Sequence, residues 1–371
     1  MIALLSIGLL VGSLAPAAAP PRRTRNVIVV MTDGLRWQEV FQGADAAMMD
    51  KDHGGLGDVE ALRKEFWRET PGARREALMP FLWSTVAKEG QIFGNRELGS
   101  DAFVTNGLNF SYPGYSETLC GFVDPGVDSN NKIPNPNVTV FEWLHRKPAF
   151  RGKVAAFGAW DVFPFIFNAA RAGFPVNAGT DPFTLPPVSR EMTLMNRLKK
   201  ETAIWDSEAL DAFTFHTSVD YLKNHQPRAM YLSLGETDEW AHDGKYSEYL
   251  RSAHRVDSYL QELWQTLQSM SQYRGTTTLV FLPDHGRGGA PVAWKSHGQK
   301  LPDSKHIWMA FLGPDTQALG ERTKAGPVTQ NQIAATVAAL LGEDYPAAVP
   351  KAGRPIAEVL VANHLIKDQR P

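Results

Sequence analysis

The sequence holds a single cysteine, Cys120, in 371 residues. An intrachain disulfide and a thiolate metal cluster are therefore excluded, and any metal must take His, Asp or Glu ligands, which suits a hard or borderline ion on N and O donors. An excess of one charge is also lacking. Lys and Arg number 38 against 40 Asp and Glu, a net charge of -2, so no global basic field argues for nucleic acid. Long apolar runs are missing as well. The run from Ile2 to Leu14 falls short of the roughly 20 apolar residues a membrane span requires. With 43% hydrophobic and 21% charged residues, the composition is that of a soluble globular protein, and the length admits one large domain or two ordinary ones.

The first residues, MIALLSIGLLVGSLAPAAAPP, carry no charge before Arg22 and pass from an apolar run into small residues. This has the form of a secretory h-region and cleavage zone, although the n-region lacks Lys and Arg. Ala15-Pro16-Ala17 supplies an A-x-A site. The expectation is a signal peptide over residues 1–17, export to the periplasm or the outside, and one domain over residues 18–371.

Three short apolar runs bounded by turn signals read as strands buried on both faces. Val27 to Met31 leads into Thr32-Asp33-Gly34, Ala229 to Leu234 into Gly235-Glu236-Thr237-Asp238, and Thr276 to Leu282 into Pro283-Asp284-His285-Gly286. Each ends in an acidic residue, and open α/β sheets bind ligands beyond the carboxyl ends of their strands. Helices are predicted between them: Met79 to Gly90, the stretch RVDSYLQELWQTLQ with apolar residues at helical spacing, and Gln330 to Leu341. Alternating strands and helices predict an α/β three-layer sandwich with a mainly parallel central sheet. Residues from about 164 to 202 hold several Pro and Gly and are expected to form a small irregular insertion over the site.

The candidate ligands follow from spacing. Asp284 and His285 project from a strand end. Asp238 and His242 are four residues apart, on one side of a helix if the chain turns helical there. His297 lies twelve residues past His285 across a loop-like stretch. Together with Asp33, these six N and O ligands suit two ions of three ligands each, with open positions for substrate and water. A single Asp after a strand is more often a cap or turn former, and Asp52-His53-Gly54 repeats the string with no strand before it, so it reads as surface loop. For a nucleophile, Ser111 and Ser116 both qualify in FSYPGYSETLCG, because a Ser opening a helix meets free backbone N–H groups that also suit a phosphate.

At these residues the sequence resembles the alkaline phosphatase superfamily, most of all its nucleotide pyrophosphatase/phosphodiesterase branch, from Asn26 to about Gly342. VIVVMTDGLRW resembles the opening strand and first metal Asp. Ser111, Pro113 and Gly121 keep the spacing of the nucleophile block, which favours Ser111. Asp238-x-x-x-His242, Asp284-His285-Gly286 and His297-Gly298 before IWMAFLGP match the remaining motifs. The resemblance implies one ion on Asp238, His242 and His297 and another on Asp33, Asp284 and His285, most simply Zn2+ at both. It also implies an Asn about twenty residues after the nucleophile on a phosphate oxygen; Asn130 and Asn131 stand at that distance, with Asn131 chosen. The sulfatase signature C/S-x-P-x-R has Tyr115 at its Arg position, which argues against a formylglycine sulfatase, and Gly114-Tyr115 departs from the Asn-His of the phosphodiesterase block.

The expected activity is hydrolysis of a small-molecule phosphate ester, monoester or diester, through a phosphoserine intermediate. The alternatives are sulfate-ester or phosphonate hydrolysis or a phosphomutase on the same scaffold, or a non-catalytic extracellular binding protein.

Overall fold

A computed structural model describes residues 22–360 of the chain. The expected signal peptide lies outside the described residues. Ten strands occur among those described: β1 Asn26–Thr32, β2 Gln91–Phe93, β3 Ala102–Phe103, β4 Val154–Gly158, β5 Val176–Ala178, β6 Ala229–Leu234, β7 Thr277–Leu282, β8 Met309–Leu312, β9 Gly320–Glu321 and β10 Val328–Thr329. Eight form one sheet in the order β5-β4-β6-β1-β7-β8-β2-β9, while β3 and β10 pair separately. Only β8 is reversed, running antiparallel to β7 and to β2. The α/β sandwich with a mainly parallel sheet is thus the observed architecture.

The continuous apolar runs are explained by burial on both faces. Ile28 and Val30 of β1 pack into one core layer with Phe215, Val219, Val256, Leu260 and Leu263, from the helices Asp211–His225 and Tyr246–Ser269. Val27, Val29 and Met31 pack into the opposite layer with Tyr115, Leu119, Phe141 and Val337, from the helices Ser111–Cys120, Val140–His145 and Ile333–Leu340. Fully burying one such aliphatic side chain stabilises by about 1.5–3 kcal/mol, so a polar residue on either face of β1 would be costly.

The register positions the site. Thr32 lies beside Leu234 and Met31 beside Leu282, so β6, β1 and β7 end level. The loops that follow carry Asp238, Asp33 and Asp284. As the first strand in the chain and a central one in the sheet, β1 sits where later strands were added on both sides, the place where open α/β sheets hold ligands.

The stretch from 164 to 202 is more regular than its Pro and Gly content suggests. Its three-residue β5 extends the main sheet beside β4. The helix Arg190–Glu201, capped by Ser189 through a bond from the Met192 N–H, buries Met192 in the core. A three-residue strand is too short to show a period, which is why the sequence hid it. Residues Thr180 and Asp181 help to line a cavity of about 420 Å³ with Lys132, Asp161 and Asp206. Asp52-His53-Gly54 is not a loop but part of a one-turn helix, Lys51–Gly54, whose His53 pairs with Asp50 at 2.7 Å.

The helical turn starting at Pro80 shows how the layers are tied. Met79, at its cap position, has no side-chain oxygen to receive the first N–H groups. Asp257, from the long helix Tyr246–Ser269, supplies both acceptors instead, taking Phe81 N–H at 2.7 Å and Leu82 N–H at 2.8 Å. Asp257→Ala leaves both buried donors unpaired. The expected loss is about 2 kcal/mol of stability, read as a lower urea midpoint with an unchanged m-value.

Candidate active site

The six predicted ligands converge at the level ends of β6, β1 and β7. His285, fully buried, donates from Nδ1 to the Gly286 carbonyl at 2.9 Å. A carbonyl only accepts, so Nδ1 carries a proton and Nε2 is the nitrogen turned towards the carboxylates. Around that Nε2 stand Asp33 Oδ1 at 3.2 Å, Asp284 Oδ2 at 3.3 Å and Asp238 Oδ1 at 4.0 Å. His297 is fixed in the same way: its Nδ1 lies 3.2 Å from the Asn109 carbonyl. Its Nε2 is 3.0 Å from His242 Nε2, which in turn is 3.1 Å from Asp238 Oδ2. The rings of His285 and His297 stack at 3.9 Å between centroids.

Two sets of ligand atoms lie within 4.8 Å of one another, Asp238 with His242 and His297, and Asp33 with Asp238 and His285. The first is the expected trio. The second brings Asp238 close to both groups, with Asp284 against His285 at its edge. The helix Glu236–His242 follows β6 at once, and this puts Asp238 and His242 on one face.

The donor set has the chemistry of a cation site. Asp33 Oδ1 and Asp284 Oδ2 are buried and have no hydrogen-bond partner. Orphaned buried carboxylate oxygens of this kind are costly unless a cation or proton meets them. Burial and the neighbouring Asp33 charge push the Asp284 carboxyl well above its usual range. Burial pulls the His285 imidazole down, but Asp284, Asp33 and Asp238 together lift it to about 9. Both directions report surplus negative charge around this trio, and the residues present fit a divalent ion.

Ser111 opens the helix Ser111–Cys120, and its Oγ is 3.4 Å from His285 Nε2. Ser116 lies one turn deeper, bonded by Asn135 at 3.0 Å, and none of its recorded contacts reaches the ligand trio. The helix offers an anion fewer N–H groups than its start suggests. Pro113 has none, Tyr112 N–H goes to Asn130 Oδ1 at 3.0 Å, and Gly114 N–H goes to the Phe110 carbonyl. Of the two asparagines, Asn130 is the one that touches the helix opened by Ser111. Asn131 is exposed and lines an adjacent small cavity with Tyr112.

Several supporting residues carried no sequence signal. Tyr115 donates to Asp33 Oδ2 at 2.7 Å and receives Ser233 Oγ–H at 3.0 Å. Arg287, fully buried, holds Asp238 Oδ1. Burial alone would raise the Asp238 carboxyl, yet the Arg287 charge with His297 and His242 holds it well below its usual range. Gly34 has φ 60°, and a Cβ there would meet Arg287 Nη1 at 2.6 Å and Asp238 Oδ1 at 2.7 Å. Only the repeated Gly after an acidic strand end hinted at such close packing.

Residues 25–343 match the family model described as Sulfatase. The chain belongs to the sulfatase family. Comparison with curated proteins finds no match in sequence. Among solved structures, it is similar to the alkaline phosphatase PafA, at 12% identity and TM-score 0.58 over 92% of this chain and 100% of that one. It is also similar to BT1596, a 2-O GAG sulfatase, at 16% identity and TM-score 0.54 over 94% of this chain and 76% of the other. The lipoteichoic acid synthase LtaP from Listeria monocytogenes aligns at 14% identity and TM-score 0.54 over 87% and 73%. These neighbours share the fold, and none of them singles out the phosphodiesterase branch. Among the described residues, no helix is long and apolar enough to cross a membrane.

The loop before Ser111 in this family member is held by one buried carboxylate. Glu117 accepts Thr105 N–H and Oγ1–H at 2.9 and 2.8 Å, and Asn106 N–H and Nδ2–H at 3.0 and 2.8 Å. Asn106 Oδ1 in turn accepts the Leu108 and Asn109 N–H groups, both at 2.9 Å, and so places the carbonyl that meets His297. Glu117→Gln turns an amide N–H towards these donors. The expected result is a loss of about 3 kcal/mol, since hydrogen bonds to a charged group are each worth roughly 1.5–3 kcal/mol. Chemical unfolding measures it.

Proposed function

We propose that this chain hydrolyses phosphate esters with two divalent ions, most simply Zn2+, and with Ser111 as nucleophile. One observation carries the reading: two orphaned buried carboxylate oxygens, Asp33 Oδ1 and Asp284 Oδ2, meet His285 Nε2 beside the Ser111 hydroxyl. Asp238, His242 and His297 would hold one ion and Asp33, Asp284 and His285 the other. Bound ions of this kind supply Lewis acidity towards attacking and leaving oxygens.

The chain's own residues do the rest. Ser111 Oγ attacks phosphorus in line with the ester oxygen, the P–O bond to the alcohol breaks, the hydroxyl proton ends on the departing alcohol oxygen, and a phosphoserine forms. Water then cleaves it, releasing phosphate from a monoester or a phosphomonoester from a diester and restoring the hydroxyl. The helix start holds Ser111 at the mouth of the site. Asn130, fixed by its bond from Tyr112 N–H, offers an amide for a phosphate oxygen; Asn131 beside it is the second choice. His285 and His297 keep Nε2 free because their Nδ1 atoms are committed to carbonyls.

The family also contains sulfate-ester hydrolases, and this is the second reading. It is disfavoured at one position. Formylglycine-type sulfatases have Arg where Tyr115 stands, and here the phenol is engaged with Asp33. The exported location and a cap role for residues 164–202 belong to the same reading, since small esters would reach the site through the open end of the sheet.

A panel of chromogenic phosphate mono- and diesters, phosphonates and sulfates, run with added zinc, manganese and magnesium, decides the substrate class. Turnover of phosphate esters at least tenfold above sulfates is expected, and the reverse order would select the second reading. Ser111→Ala should cost on the order of a hundredfold or more in turnover, as one catalytic group is typically worth about 10² to 10⁴, with metal content unchanged. Undiminished activity in that variant would remove Ser111 from the mechanism.

A further inference from the structure

Asp238 is the carboxylate that both candidate ion groups approach, yet its two oxygens are not equivalent. Oδ2 faces His242 at 3.1 Å. Oδ1, which lies 3.7 Å from His297 Nε2 and 4.0 Å from His285 Nε2, is held by Arg287. The orphaned oxygens of Asp33 and Asp284 stand in contrast, since they have no hydrogen-bond partner and face only the His285 imidazole. A charge-assisted bond to a guanidinium takes the lone pair that a second ion would need.

The same guanidinium reaches two backbone carbonyls. Arg287 Nε donates to Trp294 O at 2.8 Å and Nη2 to Lys295 O at 2.8 Å. These residues lie just before His297, in the loop that returns to the site. The fork geometry of arginine thus ties three points together, the end of the β6 loop, the β7 loop on which Arg287 stands, and the segment leading to His297. Buried Arg36 supports the base of that loop through Gly288 O at 3.1 Å, but its other bonds go to Glu39 and none reaches a candidate ligand.

We propose that Arg287 is a positioning residue that reserves Asp238 for the ion shared with His242 and His297 and sets His297 against it, so that the two ion sites load as separate trios. This rests on the two-ion reading. It predicts that loss of Arg287 weakens one site selectively, because among the described residues no hydrogen bond or ion pair joins it to Asp33, Asp284 or His285.

The test is zinc binding by metal-free protein, titrated against a chromophoric chelator, so that activity plays no part. In a His285→Ala background only the Asp238, His242 and His297 site should remain; in a His297→Ala background only the other. Arg287→Gln should weaken zinc binding about 10- to 100-fold in the first background, the usual cost of losing a residue that orients a ligand, and leave the second unchanged. Arg287→Lys keeps a charge near Asp238 but cannot carry both carbonyls, so an intermediate loss is expected. Equal losses in the two backgrounds, or none in either, would overturn the proposal while leaving the two-ion reading intact. Failure of the unaltered protein to bind two ions would instead sink that reading and this inference with it. Should Arg287→Gln not fold by circular dichroism, Arg287→Lys probes the same contact with a charge kept beside Asp238. It should show the same one-sided loss, and an even-handed effect again rejects the proposal.

Discussion

Three carboxylates forced around one imidazole are the constraint on which the site depends. Asp33, Asp284 and Asp238 all approach His285 Nε2 within 4.0 Å. Two like charges about 4 Å apart repel by roughly 4 kcal/mol at an effective dielectric of 20. Such crowding persists only where the backbone leaves no alternative. The level ends of β6, β1 and β7 impose it, and burial of these strands on both faces keeps the register from slipping, since a one-residue shift would exchange every side chain between the two core layers. The fold thus spends packing energy to hold a charge arrangement that calls for cations.

Around this centre the supporting contacts share one logic. Each fixes an oxygen or a nitrogen so that another atom is left open. Tyr115 occupies Asp33 Oδ2 and leaves Oδ1 bare. Gly34 N–H occupies Asp284 Oδ1 at 3.1 Å and leaves Oδ2 bare. The Gly286 and Asn109 carbonyls engage the Nδ1 atoms of His285 and His297. A network of this kind sets tautomers and ligand directions before any ion arrives, and Glu117 extends it from the Ser111 helix to His297 through Asn106 and Asn109.

Much of this was legible in the sequence, for physical reasons that can be named. β1, β6 and β7 are long, apolar throughout and followed directly by acidic residues, so both their burial and the position of Asp33, Asp238 and Asp284 could be read. The i, i+4 spacing of Asp238 and His242 became a shared helix face. Strands of two or three residues, such as β5 and β9, carry no period and stayed hidden. So did the π-helical turn Leu82–Val86 within a helix that was otherwise correctly bounded by Gly90. Arg287 and Tyr115 escaped because their importance is tertiary: an arginine after Asp-His-Gly or a tyrosine in a helix says nothing until its partner is placed. The asparagine assignment turned on one residue. Spacing could not separate Asn130 from Asn131; the structure adds that Asn130 accepts the Tyr112 N–H while Asn131 lines a neighbouring cavity.

The family and the fold leave the ester chemistry to the site, since one scaffold serves several reactions. What this chain adds is Ser111 beside two groups of candidate ligands that meet at Asp238. Anomalous diffraction at the zinc edge, from crystals of the metal-loaded protein, tests that claim most directly. The account predicts two peaks, one among Asp238, His242 and His297 and one among Asp33, Asp284 and His285, about 4 Å apart as two-ion clamps require. A single peak bridged by Asp238, or none at these residues, would contradict it.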